Sequence, residues 1–374
     1  MEKGDKLRAY NFIKYLSRYH EIYLFAISDC IVKKEYVEEV NKYCKSIKIY
    51  HKNRVSIAFT LVKAFFTKLP FQVAYFYCKR AQKQLDDFYS EVKPDKILCQ
   101  LIRVGEYAKD YNCIKILDYM DAFSKGIERR IKTVPFFLKP IFISEYKRLI
   151  NYEQDLFSKF EHKIIISESD RNLILHKDRD QIKIVQNGVD FDNFTPLNAP
   201  KKYDILFVGN MSYPPNVAAV MYLANEILPL VKKSKPDIKL LISGANPVKK
   251  ILRLKSKNIE VTGWVKDMRD SYAQSKIMVA PLNIGTGLQN KILQAMAMKV
   301  PCITSELVNS AINAVPEKEV LIARTPSEYS EKIITLLDNP EMQKLISENA
   351  YIFVQNKYQW AERLTVLNNL IINT

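Results

Sequence analysis

The chain has 374 residues, enough for two or three domains at roughly 150 residues each, every one large enough to bury a core. With 48% hydrophobic and 26% charged residues it reads as globular rather than disordered, and no apolar run reaches the roughly 18 residues that span a bilayer or resembles a signal-peptide core. The formal charge of +16 is uneven, with 19 Lys/Arg against 10 Asp/Glu in residues 51–150 and 16 against 6 in residues 201–300; a nucleic acid, an anionic membrane surface, a phosphate-rich small substrate or a plain Lys-rich solvated surface would each account for it.

The first predicted elements are a loop at Lys3-Gly4-Asp5-Lys6, an amphipathic helix and an apolar strand over Ile22–Ile27. A Gly-bearing loop of a βαβ unit sits at the carboxyl end of a preceding strand, and no such strand stands before this loop. Further strand patterns at Ile47–Tyr50, Lys96–Cys99, Ile114–Leu117 and Lys163–Ser167 alternate with helical patterns, which predicts a parallel sheet covered by helices. The stretch "VQNGVDFDNFTPLNAPKKYD" carries Asn-Gly, two prolines and an Asp cluster, so a first domain is expected over 1–197.

A second α/β domain is expected over 198–355, with strands at Asp204–Val208, Ile238–Ile242, Ile259–Val261, Ile277–Pro281 and Cys302–Thr304. Asn216 is placed to cap its first helix. Residues 356–374 read as a final helix packing back toward the first domain. Two doubly wound domains present the carboxyl ends of their strands to a cleft, where ligands of open α/β sheets bind. Six cysteines without CxxC spacing and four histidines without paired-ligand spacing predict reduced, buried thiols and no metal.

The densest chemistry lies in "PLNIGTGLQNKILQAMAMKVPCIT". A strand ends at Leu282, glycines 285 and 287 loosen the backbone, and a helix is expected from about Leu288, so its free N–H groups form an anion site. Gly287, Asn290, Lys291 and Gln294 recur at i, i+3, i+4 and i+7 and share one face. The same stripe reads equally well as a solvent-facing one.

The segments "DILFVGNMSYPPNVAAVMYL", "NIEVTGWVKDMRDSYAQSKIMVAPL", "GTGLQNKILQAMAMKVP" and "NKYQW" resemble successive signatures of the retaining family-4 glycosyltransferases, which have the GT-B fold. With "KGDKLR", "ILDYMDAFSK", "SESD" and "NGVD", the chain is most similar to a bacterial sugar-transferase group associated with exopolysaccharide clusters. The resemblance implies an α/β protein of two Rossmann-like domains facing a cleft, with the first strand of the N-terminal domain missing, either because Met1 is an internal methionine taken as the start or because the gene is truncated. It implies a nucleotide-sugar donor held by the second domain: Gly209 and Asn210 line the site, Val265 meets the base, and Gly287, Leu288, Asn290 and Lys291 meet the diphosphate. Lys291 would supply charge as the bond to the sugar breaks, since no histidine or metal motif is at hand. Gly4 and Arg8 would close over the donor phosphates, and Asp118 and Asp121 would meet the sugar and the acceptor. Either aspartate reads as readily as a cap or half of a salt bridge.

Where the family has a carboxylate for the ribose, this chain has Gln294, which accepts through oxygen but also donates through nitrogen. The basic, aromatic stretch "RVSIAFTLVKAFFTKLPFQVAYFYCKR" and the loop "VPFFLKPIF" suit either an interfacial helix beside anionic lipid or a core helix with basic flanks. The function expected from all of this is transfer of a hexose, with retention, from a nucleoside diphosphate sugar to an exopolysaccharide, capsule or lipid-linked acceptor. The protein would be cytoplasmic or peripheral on the inner membrane face and need no cofactor, metal or nucleic acid. The alternative is a weak or inactive relative that binds a nucleotide sugar, or a partner, as a subunit.

Overall fold

The computed structural model describes residues 4–132, 134–283 and 288–373. It divides into two α/β units, one of residues 4–186 with 364–373, the other Asn187–Arg363. The division falls ahead of the boundary expected near 197. Val189 donates its N–H to the Tyr358 carbonyl (2.7 Å), and Phe191 and Phe194 pack on the second core, so this turn-rich stretch belongs to the second unit. Gly188 permits that docking, since a Cβ there would lie 2.7 Å from the Trp360 nitrogen. The last helix, Trp360–Ile372, ends in the first unit, where His20 hydrogen-bonds Asn368 (2.8 Å).

In the second unit β7 (Tyr203–Val208), β8 (Leu240–Ser243), β9 (Ile259–Gly263), β10 (Ser275–Ala280), β11 (Cys302–Thr304) and β12 (Leu321–Ile322) form one parallel sheet, ordered β12-β11-β10-β7-β8-β9. Leu206 lies opposite Leu241 on one side and Met278 on the other. Such runs are apolar on both faces because helices cover both, and the central residues of β7, β8 and β10 are fully buried. The chain turns from β7 into a helix at Pro214, where a proline loses no intrahelical bond. Asn216 is therefore inside that helix and is no cap.

The first unit has two separate parallel sheets: β1 (Tyr23–Ser28) with β2 (Ser46–His51), and β3 (Lys96–Gln100), β4 (Ile114–Asp118), β5 (His162–Ile165), β6 (Lys183–Ile184) in that order. One edge each of β1 and β3 pairs with no strand among the described residues. β1 is at most half-buried, unlike β4, whose Ile116 is buried and whose Leu117 sits in the core with Leu149 and Leu156 of the Lys139–Lys159 helix. The short strands β6 and β12 left no mark in the sequence, since two residues cannot show alternation. All six cysteines are free; Cys78, Cys99 and Cys302 are buried, whereas Cys30 is exposed, against the expectation of buried thiols throughout.

Candidate functional site

In the second unit, β7, β8 and β9 end side by side at glycines. Gly209 N–H donates to the Ser243 carbonyl (3.1 Å) and Gly244 N–H to the Gly263 carbonyl (3.0 Å). The loops run so close that a Cβ on Gly244 would sit 1.8 Å from the Gly209 carbonyl oxygen. A Cβ on Gly209 would lie 2.7 Å from Asn216 Nδ2 and 3.1 Å from Lys291 Nζ. Glycine at 209 thus brings bare backbone against the Lys291 ammonium.

Lys291 is half-buried; its ammonium donates to Asn216 Oδ1 and lies 4.8 Å from the centre of the Phe207 ring. No carboxylate pairs with it among the described residues, and burial alone pushes its pKa down to about 7. The fold thus keeps a lysine amine without a counter-charge, a group that regains its proton when an anion arrives, which marks a candidate anion site. Among the described residues no side chain caps the start of the helix that carries it, Asn290–Ala297, so first-turn N–H groups add to the positive field. Asn290 Oδ1 is buried with no hydrogen-bond partner among the described residues and so can accept from a donor outside them.

Gln294 lies one turn on, against a buried tyrosine. The Tyr272 hydroxyl donates to the Lys291 carbonyl (3.1 Å) and to Gln294 Oε1 (3.2 Å). One hydroxyl proton cannot serve both acceptors fully. Given to the carbonyl, it lets the Gln294 amide turn its nitrogen to the tyrosine oxygen and its own oxygen outward. The tyrosine thereby governs which end of Gln294 a ligand would meet.

Asn210 shapes the loop: its carbonyl accepts from Asn216 Nδ2 (2.9 Å), and its Oδ1 from the Ser212 N–H (3.0 Å) and O–H (2.8 Å). Val265 is half-buried beyond Gly263, whose φ of 73° turns the chain out of β9. Leu288 lies before the helix rather than at its start, with its side chain in the core, so only its backbone is left for an anion. Gly287 lies outside the described residues. The sequence reading missed Asn216 and Tyr272 as neighbours of Lys291, because both depend on how the first helix and the Met268–Ala273 helix pack on β7 and β10.

In the first unit, Gly4, Arg8, Asp118 and Asp121 gather at the end of β4. Arg8 and Asp118, each 0% exposed, form a bidentate pair, with Arg8 Nε 2.6 Å from Oδ2 and Nη2 3.1 Å from Oδ1, and Arg8 Nη1 donates to the Val185 carbonyl (2.7 Å). This corrects the expectation of an Arg8 open to donor phosphates and an Asp118 open to the sugar. The strand end and the first helix bury both charges, and each answers the other. A Cβ on Gly4 would meet only the Met120 methyl, at 3.9 Å.

Asp121 is exposed, turned outward by a tight turn in which its N–H donates to the Tyr119 carbonyl (2.7 Å) across Met120 at φ 61°. Crowding by protein, then the Asp170 and Asp118 carboxylates, push its pKa up to about 6 against Arg8 and Arg103, and water at its surface screens part of that effect. Asp170 is buried on a one-turn helix whose cap, Ser167, accepts from the Asp170 N–H (3.1 Å) and donates to its carboxylate. A cavity of about 390 Å³ is lined by Asp29, Leu61, Phe71, Gln72, Tyr75, Phe76 and Arg103, the last of which acts electrostatically on Asp121. Arg103 donates to Gln72 (3.1 Å) and stacks on Phe123 (4.6 Å), while its buried Nε has no partner among the described residues. Among the described residues no group of three His, Cys, Asp or Glu is placed to hold a metal.

Residues 202–339 match the family model Glycosyl transferases group 1. The whole chain has the GT-B fold. It superposes on HepE from Anabaena, in complex with UDP and glucose, with a TM-score of 0.70 at 9% identity, covering 99% of this chain and 96% of that one. It superposes on a sucrose-phosphate synthase from Thermosynechococcus elongatus with a TM-score of 0.69 at 13% identity, covering 99% and 93%. In sequence it is 25% identical over 345 residues to a 44.6 kDa protein in the cps region of Klebsiella pneumoniae, covering 87% of this chain and 84% of that protein. It is also 25% identical over 248 residues to a glycosyltransferase of Methanocaldococcus jannaschii, covering 58% and 61%. The family match contains Gly209, Asn216, Tyr272, Asn290, Lys291 and Gln294, the residues of the second unit's site. No helix among the described residues is long and apolar enough to cross a membrane.

Proposed function

We propose that the protein is a glycosyltransferase that binds a nucleoside diphosphate sugar in its second unit and transfers the sugar, a hexose, with retention to a surface-glycan acceptor. The observation that carries this reading is the Lys291 amine, paired with no carboxylate among the described residues, set against the bare backbone of Gly209 and carried in the first turn of a helix to which the described residues give no side-chain cap. When the bond from the anomeric carbon to the diphosphate breaks, its electron pair stays on the diphosphate, and a fixed cation with N–H dipoles stabilises that charge without reorganising. The relative in a cps region supports a surface-glycan acceptor, and neighbours bound to UDP and glucose support a uridine-type donor. Asp121 and Arg103 are the proposed acceptor-side groups, and no metal or cofactor is assigned a part.

The test is a panel of nucleoside diphosphate sugars, read first as thermal stabilisation and then as turnover with candidate glycan acceptors. Stabilisation by one donor, reduced in Lys291→Ala, is the expected result. No stabilisation by any donor would remove the reading. A second reading, a nucleotide-sugar-binding subunit without turnover, is favoured by the Arg8–Asp118 pair and by Gln294, and donor binding without turnover would select it.

A further inference from the structure

The helix Arg54–Ala64 buries only Ile57 and Ala64. Val55, Phe59 and Val62, at i, i+4 and i+7, form a stripe on the opposite face, and Phe66 follows in the turn just past the helix end, with Phe59 70% and Phe66 87% exposed. A helix that is apolar on two faces belongs where both are covered. A second exposed group lies in the same unit at Phe136 and Phe137, 83% and 65% exposed, where the chain enters the Lys139–Lys159 helix.

These rings stand on a braced frame. Arg148, on the Lys139–Lys159 helix, donates to the Ala64 (2.6 Å) and Leu69 (3.0 Å) carbonyls and lies over the Phe71 ring at 4.7 Å. The buried Glu145 carboxylate accepts from the N–H groups of Phe71 (2.6 Å) and Gln72 (3.0 Å). The outward rings are thus held in place by the fold.

Charge identifies the occupant. Residues 51–85 and 129–144 contain no Asp or Glu, and Arg54, Lys63 and Lys68 near the first group in sequence and Arg129, Arg130, Lys132 and Lys139 near the second are exposed. We propose that this face of the first unit docks on an anionic lipid bilayer, its aromatic rings entering the headgroup boundary and its cations meeting lipid phosphates. A second copy of the chain would set these cations against their own kind, whereas a bilayer of anionic lipid neutralises them. The docking is independent of the transferase reading, because it concerns a surface remote in sequence from Lys291 and requires no donor.

The test is flotation of the full chain with vesicles of phosphatidylglycerol and phosphatidylcholine, against vesicles of phosphatidylcholine alone, at low and high salt. Binding is expected to the anionic vesicles at low salt and to fall as salt rises, because screening shortens the reach of each cation. Removing one cation, as in Lys63→Ser, should weaken binding about fivefold. The exposed pair Phe59→Ser and Phe66→Ser should weaken it further at unchanged melting temperature, while the exposed Lys257→Ser in the second unit should leave it unchanged. Phe66→Trp should shift its emission to the blue on anionic vesicles only. No flotation with anionic vesicles, equal binding of the phenylalanine double variant, or a dimer in sedimentation that the double variant abolishes would overturn the proposal.

Discussion

Arg8 and Asp118 form a bidentate ion pair with both side chains fully buried, joining the first helix of the chain to the end of β4. Removing one partner leaves the other charged in a low dielectric, which typically costs about 3–5 kcal/mol. Arg8→Ala is expected to destabilise the first unit by about that much, and Arg8→Met with Asp118→Leu by much less. Denaturant titration of the three proteins checks this. Equal losses in the single and double variants would show that the pair is not a unit.

Lys291→Ala should lower turnover by about 10²–10³, the usual loss for one electrostatic contact made mainly in the transition state, without lowering the melting temperature. Steady-state rates with the stabilising donor, beside melting curves, check both halves. Turnover near that of the parent would take the diphosphate away from this lysine.

The same lysine makes pH a probe. Its pKa in the fold is about 7, against an ordinary value near ~10.4, so between those values the unfolded chain holds a proton that the native protein lacks. Stability contributed by this group therefore rises with pH across that window, and below about pH 7 the native state bears the whole cost of burying the cation. Lys291→Met should raise the melting temperature more near pH ~6 than near pH ~10. A bound diphosphate should restore the proton, so binding near pH ~8 takes one up, read by calorimetry in buffers of different protonation enthalpy. Heats independent of the buffer would mean that the ammonium does not meet the donor.

Gln294→Glu should tighten donor binding by about 1 kcal/mol, since a carboxylate takes the Tyr272 proton on one oxygen and accepts from ribose with the other. Titration calorimetry against the parent decides it, and weaker binding would place the ribose elsewhere.

Glu153 is buried and accepts from the Ser124 N–H (3.0 Å) and O–H (2.7 Å), and burial pushes its pKa up to about 7. The ordinary value is near ~4.3, so between the two the native state holds a proton that the unfolded chain has lost, and stability falls as pH rises through that window. Glu153→Gln should therefore stabilise by on the order of 2 kcal/mol near pH ~8 and by little near pH ~4. Denaturation curves at the two pH values check the sign.

Strand positions, the parallel character of the sheets and the polar face of Asn290, Lys291 and Gln294 were legible in the sequence. Each rests on local pattern: apolar runs between turn residues, and a helical repeat of 3.6 that puts i, i+3 and i+4 side by side. The basic, aromatic stretch from Arg54 was legible as a helix for a lipid surface or for the core, but burial and exposure share one periodicity, so only the packing of Ile57 and Ala64 told which side was covered. Tertiary structure alone decided that Arg8 answers Asp118 across a sequence separation of 110, that Asn216 turns inward to Lys291, and that Tyr272 holds Gln294. A charge or amide written in a chain specifies what it can bond, and only the chain's path through space settles which partner is within three ångströms.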